Sequence, residues 1–224
     1  MAEIKPNYDT KRKKLAEVIP LAAPFTVYIE QTKYCNFKCF YCIHSTRDEA
    51  NGEFRALGHR MQHMDEVFFE KIIRELKEFP QDGIKRIVFS GLGEPLMNPR
   101  LPDYVRMTVE AGIAGRVEVI TNGLLLTPEK SHALVAAGIT NINISVQGLD
   151  AAGYEKTCGI RIDFERYLEN LKYLYEHKGN VQIYIKAIDA TLKTKENEEK
   201  FFRIFSPFAD RIYIEHLVVM QQQM

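Results

Sequence analysis

Residues 84–123 read IKRIVFSGLGEPLMNPRLPDYVRMTVEAGIAGRVEVITNG, and this stretch decides the fold. Ile84–Ser90 is a short apolar run rich in β-branched side chains, the mark of a strand. A loop of glycine and proline follows, then an amphipathic stretch near Leu101–Ala111, then a second β-rich run, Val117–Thr121, ended by Asn122-Gly123. Two strands joined through a helix must run parallel, and such crossovers are almost always right-handed. The same unit repeats outward in both directions. Upstream lie a strand at Phe25–Gln31 and a helix at Asp65–Phe79. That helix has Asp65 as its cap, Val67, Phe68, Ile72, Ile73 and Leu76 on one face, and Pro80 as its stop. Downstream come a helix at Pro128–Ala137, a strand at Asn141–Val146, a helix at Phe164–His177 and a strand at Val181–Ala187. A helix around Glu196–Phe205 and a sixth strand, Arg211–Val218, complete the series. The alternation predicts an α/β protein with a parallel sheet, either curled or doubly wound.

The chain has 224 residues, 46% hydrophobic and 27% charged, which excludes disorder and a disulfide-framed miniprotein. Thirty basic residues balance thirty acidic ones, so nucleic acid is not expected as a partner. No apolar stretch approaches the ~20 residues a bilayer span needs, so no membrane is expected either. The basic run Lys11–Lys14 reads as a solvated start, residues 1–24 as an N-terminal extension, and the absence of a secretory signal as a cytoplasmic location. Two features break the regularity. His44–His63 is a long polar loop containing Gly52 and Gly58, and the chain runs out at Gln221–Met224 with no helix to cover the sixth strand.

Three of the four cysteines lie within eight residues, in Cys35-Asn36-Phe37-Lys38-Cys39-Phe40-Tyr41-Cys42, directly after the first strand. A cluster this tight reads as metal binding rather than bridging. Structural zinc takes four protein ligands, and His44, His59 or His63 could complete such a set. Iron–sulfur clusters also use thiolates, normally four. Three without an obvious fourth suggest an iron left open to another ligand.

The spacing C-x-x-x-C-x-x-C, with an aromatic residue before the last cysteine, resembles the radical S-adenosylmethionine (SAM) superfamily. Further motifs follow in that family's order: Ser90-Gly91-Leu92-Gly93-Glu94-Pro95, Thr121-Asn122-Gly123 and Ser145-Val146-Gln147-Gly148, each after a strand. The resemblance implies a partial (β/α)6 TIM-like barrel over residues 25–220. It implies a [4Fe–4S] cluster held by Cys35, Cys39 and Cys42, whose fourth iron chelates SAM. Gly91, Gly93, Glu94 and Pro95 would meet the methionine amino group, and Tyr41 would lie near the adenine. Thr121 and Asn122 would be further SAM contacts, Ser145 and Gln147 would reach the ribose or carboxylate, Ile188 the adenine ring, and Lys186 the carboxylate. The implied activity is reductive cleavage of SAM to a 5′-deoxyadenosyl radical that takes hydrogen from a peptide side chain or small polar substrate, with electrons from a flavodoxin or ferredoxin.

Within the family the chain looks most like the SPASM/twitch subgroup, whose C-terminal domain carries auxiliary clusters. No cysteine follows Cys158, so that auxiliary domain is expected to be missing. Relatives often carry an arginine where this chain has Cys158, which is expected to be a packed thiol. His44 is expected on the loop surface, and Met61 and Met64 in helix-start packing. Glu30, Glu118, Glu215 and His216 read equally as structural or as substrate-facing. A glycyl-radical-enzyme activase is the alternative activity, and a zinc- or cluster-stabilised binding module the alternative without catalysis.

Overall fold

The computed structural model describes residues 2–5, 14–80 and 83–216. Lys11–Lys13, the tail of the sixth predicted strand at 217–218 and the segment 221–224 lie outside the described residues. Seven strands form one parallel sheet: β1 (Glu3–Ile4), β2 (Thr26–Ile29), β3 (Arg86–Phe89), β4 (Val117–Thr121), β5 (Asn141–Val146), β6 (Gln182–Ile188) and β7 (Arg211–Glu215). From β2 to β7 each strand pairs with the next in sequence. Sequential order decides between the two predicted topologies. Successive right-handed crossovers in one direction put every helix on the same side, whereas a doubly wound sheet reverses order midway. The sheet is therefore an open partial barrel, with β1 and β2 at its free edges.

Eight helices accompany the strands among the described residues: α1 (Glu53–Ala56), α2 (Glu66–Leu76), α3 (Leu101–Glu110), α4 (Pro128–Ala136), α5 (Ala151–Cys158), α6 (Phe164–His177), α7 (Asp189–Leu192) and α8 (Lys195–Phe205). The predicted cap of α2 is present, Asp65 accepting from the Phe68 amide at 2.8 Å. The period of two divides each strand's side chains between two faces. Ile29, Ile87, Phe89, Val119, Ile142, Ile144, Ile183, Ile185 and Ile212 are buried in the core. The opposite parity, the inner face of the barrel, is largely polar, with Tyr28, Arg86, Glu118, Asn143, Ser145, Tyr184 and Lys186 beside Val88, Ile120 and Ile188. Aromatic packing fastens the helices, with Phe69 of α2 stacked on Tyr104 of α3 at 4.1 Å and Tyr154 edge-on to Tyr167 at 5.7 Å.

The sequence reading needs three corrections here. Among the described residues the strands number seven, not six, because the N-terminal segment supplies β1, where Glu3 N donates to Asp210 O and Lys5 N to Ile212 O. A two-residue strand carries no periodicity to read. Helix α5 is a second addition; Asp150 caps it, accepting from the Gly153 amide at 2.8 Å. The long loop after the cysteines is shorter than its polar sequence implies, holding a 3-10 turn at Ile43–Thr46 and helix α1.

Glu118 is a structural charge. It is 1% exposed and accepts from Arg116 at 2.8 Å and 2.5 Å, with Arg86 3.7 Å away. Arg86 in turn donates to Thr26 Oγ1, so the network ties β2, β3 and β4 together. Glu118→Ala strands two guanidiniums that keep about a third of their exposure, so the cost falls below that of a fully buried pair, at about 2–3 kcal/mol. Thermal denaturation should show Tm lower by roughly 5–10 °C.

Candidate active site

The loop that follows β2 is held from several sides. The C-terminal carbonyls of α5 accept its amides, Lys38 N to Cys158 O at 2.9 Å and Phe40 N to Thr157 O at 3.0 Å. Phe37 is buried and meets the ring of Tyr154 edge-on at 5.9 Å. Arg47 donates from one nitrogen to the carbonyls of Phe37 and His44. His44 is not on the loop surface as expected. It is 1% exposed and donates Nε2–H to the Lys33 carbonyl at 2.6 Å, a partner 11 residues away that the sequence does not advertise. Cys158 is a packed thiol, and its sulfur lies 3.8 Å from that of Cys39.

With the loop so fixed, Cys35, Cys39, Cys42 and Tyr41 face one cavity of about 280 Å³ at the C-terminal ends of the strands. From the second motif come Gly91, Gly93 and Glu94, and from the end of β4 Thr121 and Asn122. Ser145, Gln147, Lys186 and Ile188 complete the set from β5 and β6. Pro95 stands apart, buried at the start of a 3-10 turn. Ser90, Ile120 and Glu215 also line the cavity. Strand parity could have found Ile120 and Ser90, because they continue the inner faces of β4 and β3.

Gly93 is glycine for a steric reason. A Cβ there would fall 2.2 Å from the Thr32 carbonyl oxygen. Next to it, Glu94 is 3% exposed, and both its oxygens are met by this chain's own donors. Oε1 accepts from the Leu96 amide at 2.9 Å and the Thr121 hydroxyl at 2.5 Å; Oε2 accepts from the Asn122 amide at 2.7 Å. Burial pushes the carboxyl above its ordinary range, and these three donors pull against it. Gly123, at φ +77°, then turns the chain where a side chain would meet Tyr167 and Ile144. Tyr41 donates to Gln147 Oε1 at 2.5 Å, joining the cysteine loop to the end of β5. Lys186 pairs with Glu215 across β6 and β7 at 2.7 Å. Glu30 accepts from the Leu92 amide and pairs with Lys33, and exposed His216 meets Asp189.

The donor set fits an iron–sulfur cluster better than one zinc ion. Tetrahedral zinc at about 2.3 Å per sulfur needs its thiolates roughly 3.8 Å apart. Among the described residues no group of three His, Cys, Asp or Glu side chains is arranged to hold a single metal ion. His59 and His63, the other zinc candidates, are bonded to Lys33 and Thr32 and do not line the cavity. Three cysteines and no histidine line the cavity, a set that would hold three irons of a four-iron cluster and leave one position open. The Glu94 network gives a direct test. Glu94→Gln turns an acceptor into a donor facing an amide or hydroxyl, which should cost about 1–3 kcal/mol in chemical denaturation.

A family model described as the radical SAM superfamily matches residues 29–205. The chain is 30% identical over 177 residues to a tungsten-containing aldehyde ferredoxin oxidoreductase cofactor-modifying protein of Pyrococcus furiosus, covering 76% of this chain and 44% of that protein. It is 27% identical over 176 residues to an AdoMet-dependent heme synthase of Nitratidesulfovibrio vulgaris, covering 79% and 42%. The chain thus spans less than half the length of these curated relatives. The fold matches Streptococcus suis SuiB bound to S-adenosylmethionine with TM-score 0.68 at 20% identity, over 92% of this chain and 44% of that one. It matches anSMEcpe with bound AdoMet at 0.63 and 18% identity, over 87% and 52%. Among the described residues no helix is long and apolar enough to cross a membrane. The chain belongs to the radical SAM superfamily, whose enzymes work with a [4Fe–4S] cluster and S-adenosylmethionine.

Proposed function

We propose that residues 25–220 are the core of a cytoplasmic enzyme that cleaves SAM reductively and takes hydrogen from a peptide side chain or a small polar molecule. The observation that carries this reading is the meeting of three cysteines, the glycine loop and the ends of β4, β5 and β6 at one cavity. Cys35, Cys39 and Cys42 would hold the cluster. The chemistry supplied when cluster and SAM are bound is cleavage of the sulfonium to methionine and a 5′-deoxyadenosyl radical able to abstract hydrogen. The chain's own part is positioning and exclusion of water. Gly91 and Gly93 let backbone approach the methionine amino group, and Glu94 holds that loop against β4 rather than reaching outward. Gln147, with Tyr41, Ser145 and Ile188, would frame the nucleoside.

Lys186 is the cation facing the SAM carboxylate in this reading, with Glu215 orienting it until that carboxylate arrives. The polar inner face of the barrel favours a polar substrate. The relatives' names range over cofactor modification, heme synthesis and GTP cyclisation, so the substrate is proposed by class alone. Four free cysteines suit a reducing compartment.

Anaerobic reconstitution, dithionite reduction with SAM and quantification of 5′-deoxyadenosine test the reading. Wild-type protein should form the nucleoside, and alanine at Cys35, Cys39 or Cys42 should reduce it to background. One zinc without sulfide on metal analysis would sink the proposal. Lys186→Met should raise the Kd for SAM about tenfold, the loss of one charge-assisted hydrogen bond. An unchanged Kd by equilibrium dialysis would remove Lys186 from the site.

A further inference from the structure

A second cavity, of about 500 Å³, opens beside the cysteine loop. Its walls are basic, with Arg47, Arg55, His59 and Arg60 around Phe54 and Met61. Among the described residues none of the three guanidiniums has a carboxylate partner. Arg47 and Arg55 donate to backbone carbonyls. Asp48, which feels the charge of Arg47 and Arg55, is itself held by Lys38 at 2.6 Å. His59 accepts from Lys33 at 2.7 Å, whose own charge is paired with Glu30 at 3.1 Å, so the patch rests on the three guanidiniums. The cavity and the cysteine loop share a side chain: Arg47, which lines the cavity, also bonds the carbonyl of Phe37, between Cys35 and Cys39. In that loop Phe40 is 57% exposed, an apolar side chain offered outward.

We propose that this basic cavity and its rim are the docking surface for an acidic one-electron carrier protein, seated against the outer side of the cysteine loop. The inference rests on the proposed function, because a cluster that cleaves SAM must be reduced from outside. One electron leaves the reduced carrier and enters the cluster; no bond forms or breaks and no proton needs to move. The substrate cavity is the wrong entrance, since SAM and substrate fill it. The chain's formal net charge is zero, so it has no global attraction for an acidic partner. Steering must come from a local patch, and unpaired guanidiniums in one concavity provide it. Their neutralisation within the chain would have removed that field.

The test uses Arg55→Glu/Arg60→Glu, which reverses two exposed charges and leaves Arg47 to hold the loop. Reduced flavodoxin and reduced ferredoxin, both acidic, are the probes. Their binding to reconstituted protein is measured by calorimetry at low and raised salt, and cluster reduction by stopped-flow absorbance. At least one carrier should bind wild type in a salt-sensitive way, and the double variant should bind it about tenfold more weakly or worse and reduce proportionately more slowly. Cleavage of SAM driven by dithionite should be unchanged, and Arg55→Lys/Arg60→Lys should restore binding. Equal binding and reduction in wild type and the charge-reversed variant, or no binding of either carrier to wild type, would overturn the docking surface. So would inorganic phosphate that saturates the cavity without displacing the carrier, which would assign it to a small anion. Failure of dithionite-driven cleavage in wild type would instead strike the proposed function, leaving the binding result to stand alone.

Discussion

A carboxylate taken out of water must be met by donors, and Glu94 shows how much structure that requirement organises. Its three partners come from its own loop and from the end of β4, 27 and 28 residues onward. To satisfy it, the loop after β3 must close on β4, which brings Gly91 and Gly93 beside the cysteine loop. Glu94 N–H completes the contact by donating to the Tyr34 carbonyl. One buried charge thereby joins three segments of the cavity wall. Its placement is stabilised because each oxygen has a donor, and it would be costly if any were removed.

The sheet supplies the second constraint. Sequential parallel order collects every C-terminal strand end on one rim, and right-handed crossovers keep the helices outside. The apolar parity of the strands then has only one place to go, the layer beneath the helices. The polar parity is left facing inward, where Glu118 with its arginines and Lys186 with Glu215 find partners across neighbouring strands. An interior lined this way is suited to a polar guest.

How much of this is legible in the sequence follows from the range of each signal. Val117–Thr121, Asn141–Val146 and Phe164–His177 are readable to the residue, because β-branched runs and helical periodicity are local. The cysteine spacing and the glycine loop are local too, so the amino-acid order alone names the main residues of the cavity. Pairings between distant residues are not local. The bond of His44 to Lys33, the bond of Tyr41 to Gln147 and the ion pair of Lys186 with Glu215 need register and loop closure, which composition does not encode. Helix α5 is hidden by Gly153 and a weak amphipathic pattern. Its terminal carbonyls nonetheless hold the loop on which the site depends.

The pairing of β1 with β7 carries a consequence for how the molecule comes together. Glu3 and Arg211 are 208 residues apart, so this contact closes the largest loop in the sheet. Closure entropy grows with loop length, and only two exposed residues of strand reward it. Contacts between sequential strands form over far shorter separations, so the barrel from β2 to β7 condenses first and β1 is laid on afterwards. The same imbalance makes this seam the earliest to part when the native state fluctuates, and hydrogen exchange should begin there while the centre of the sheet stays protected.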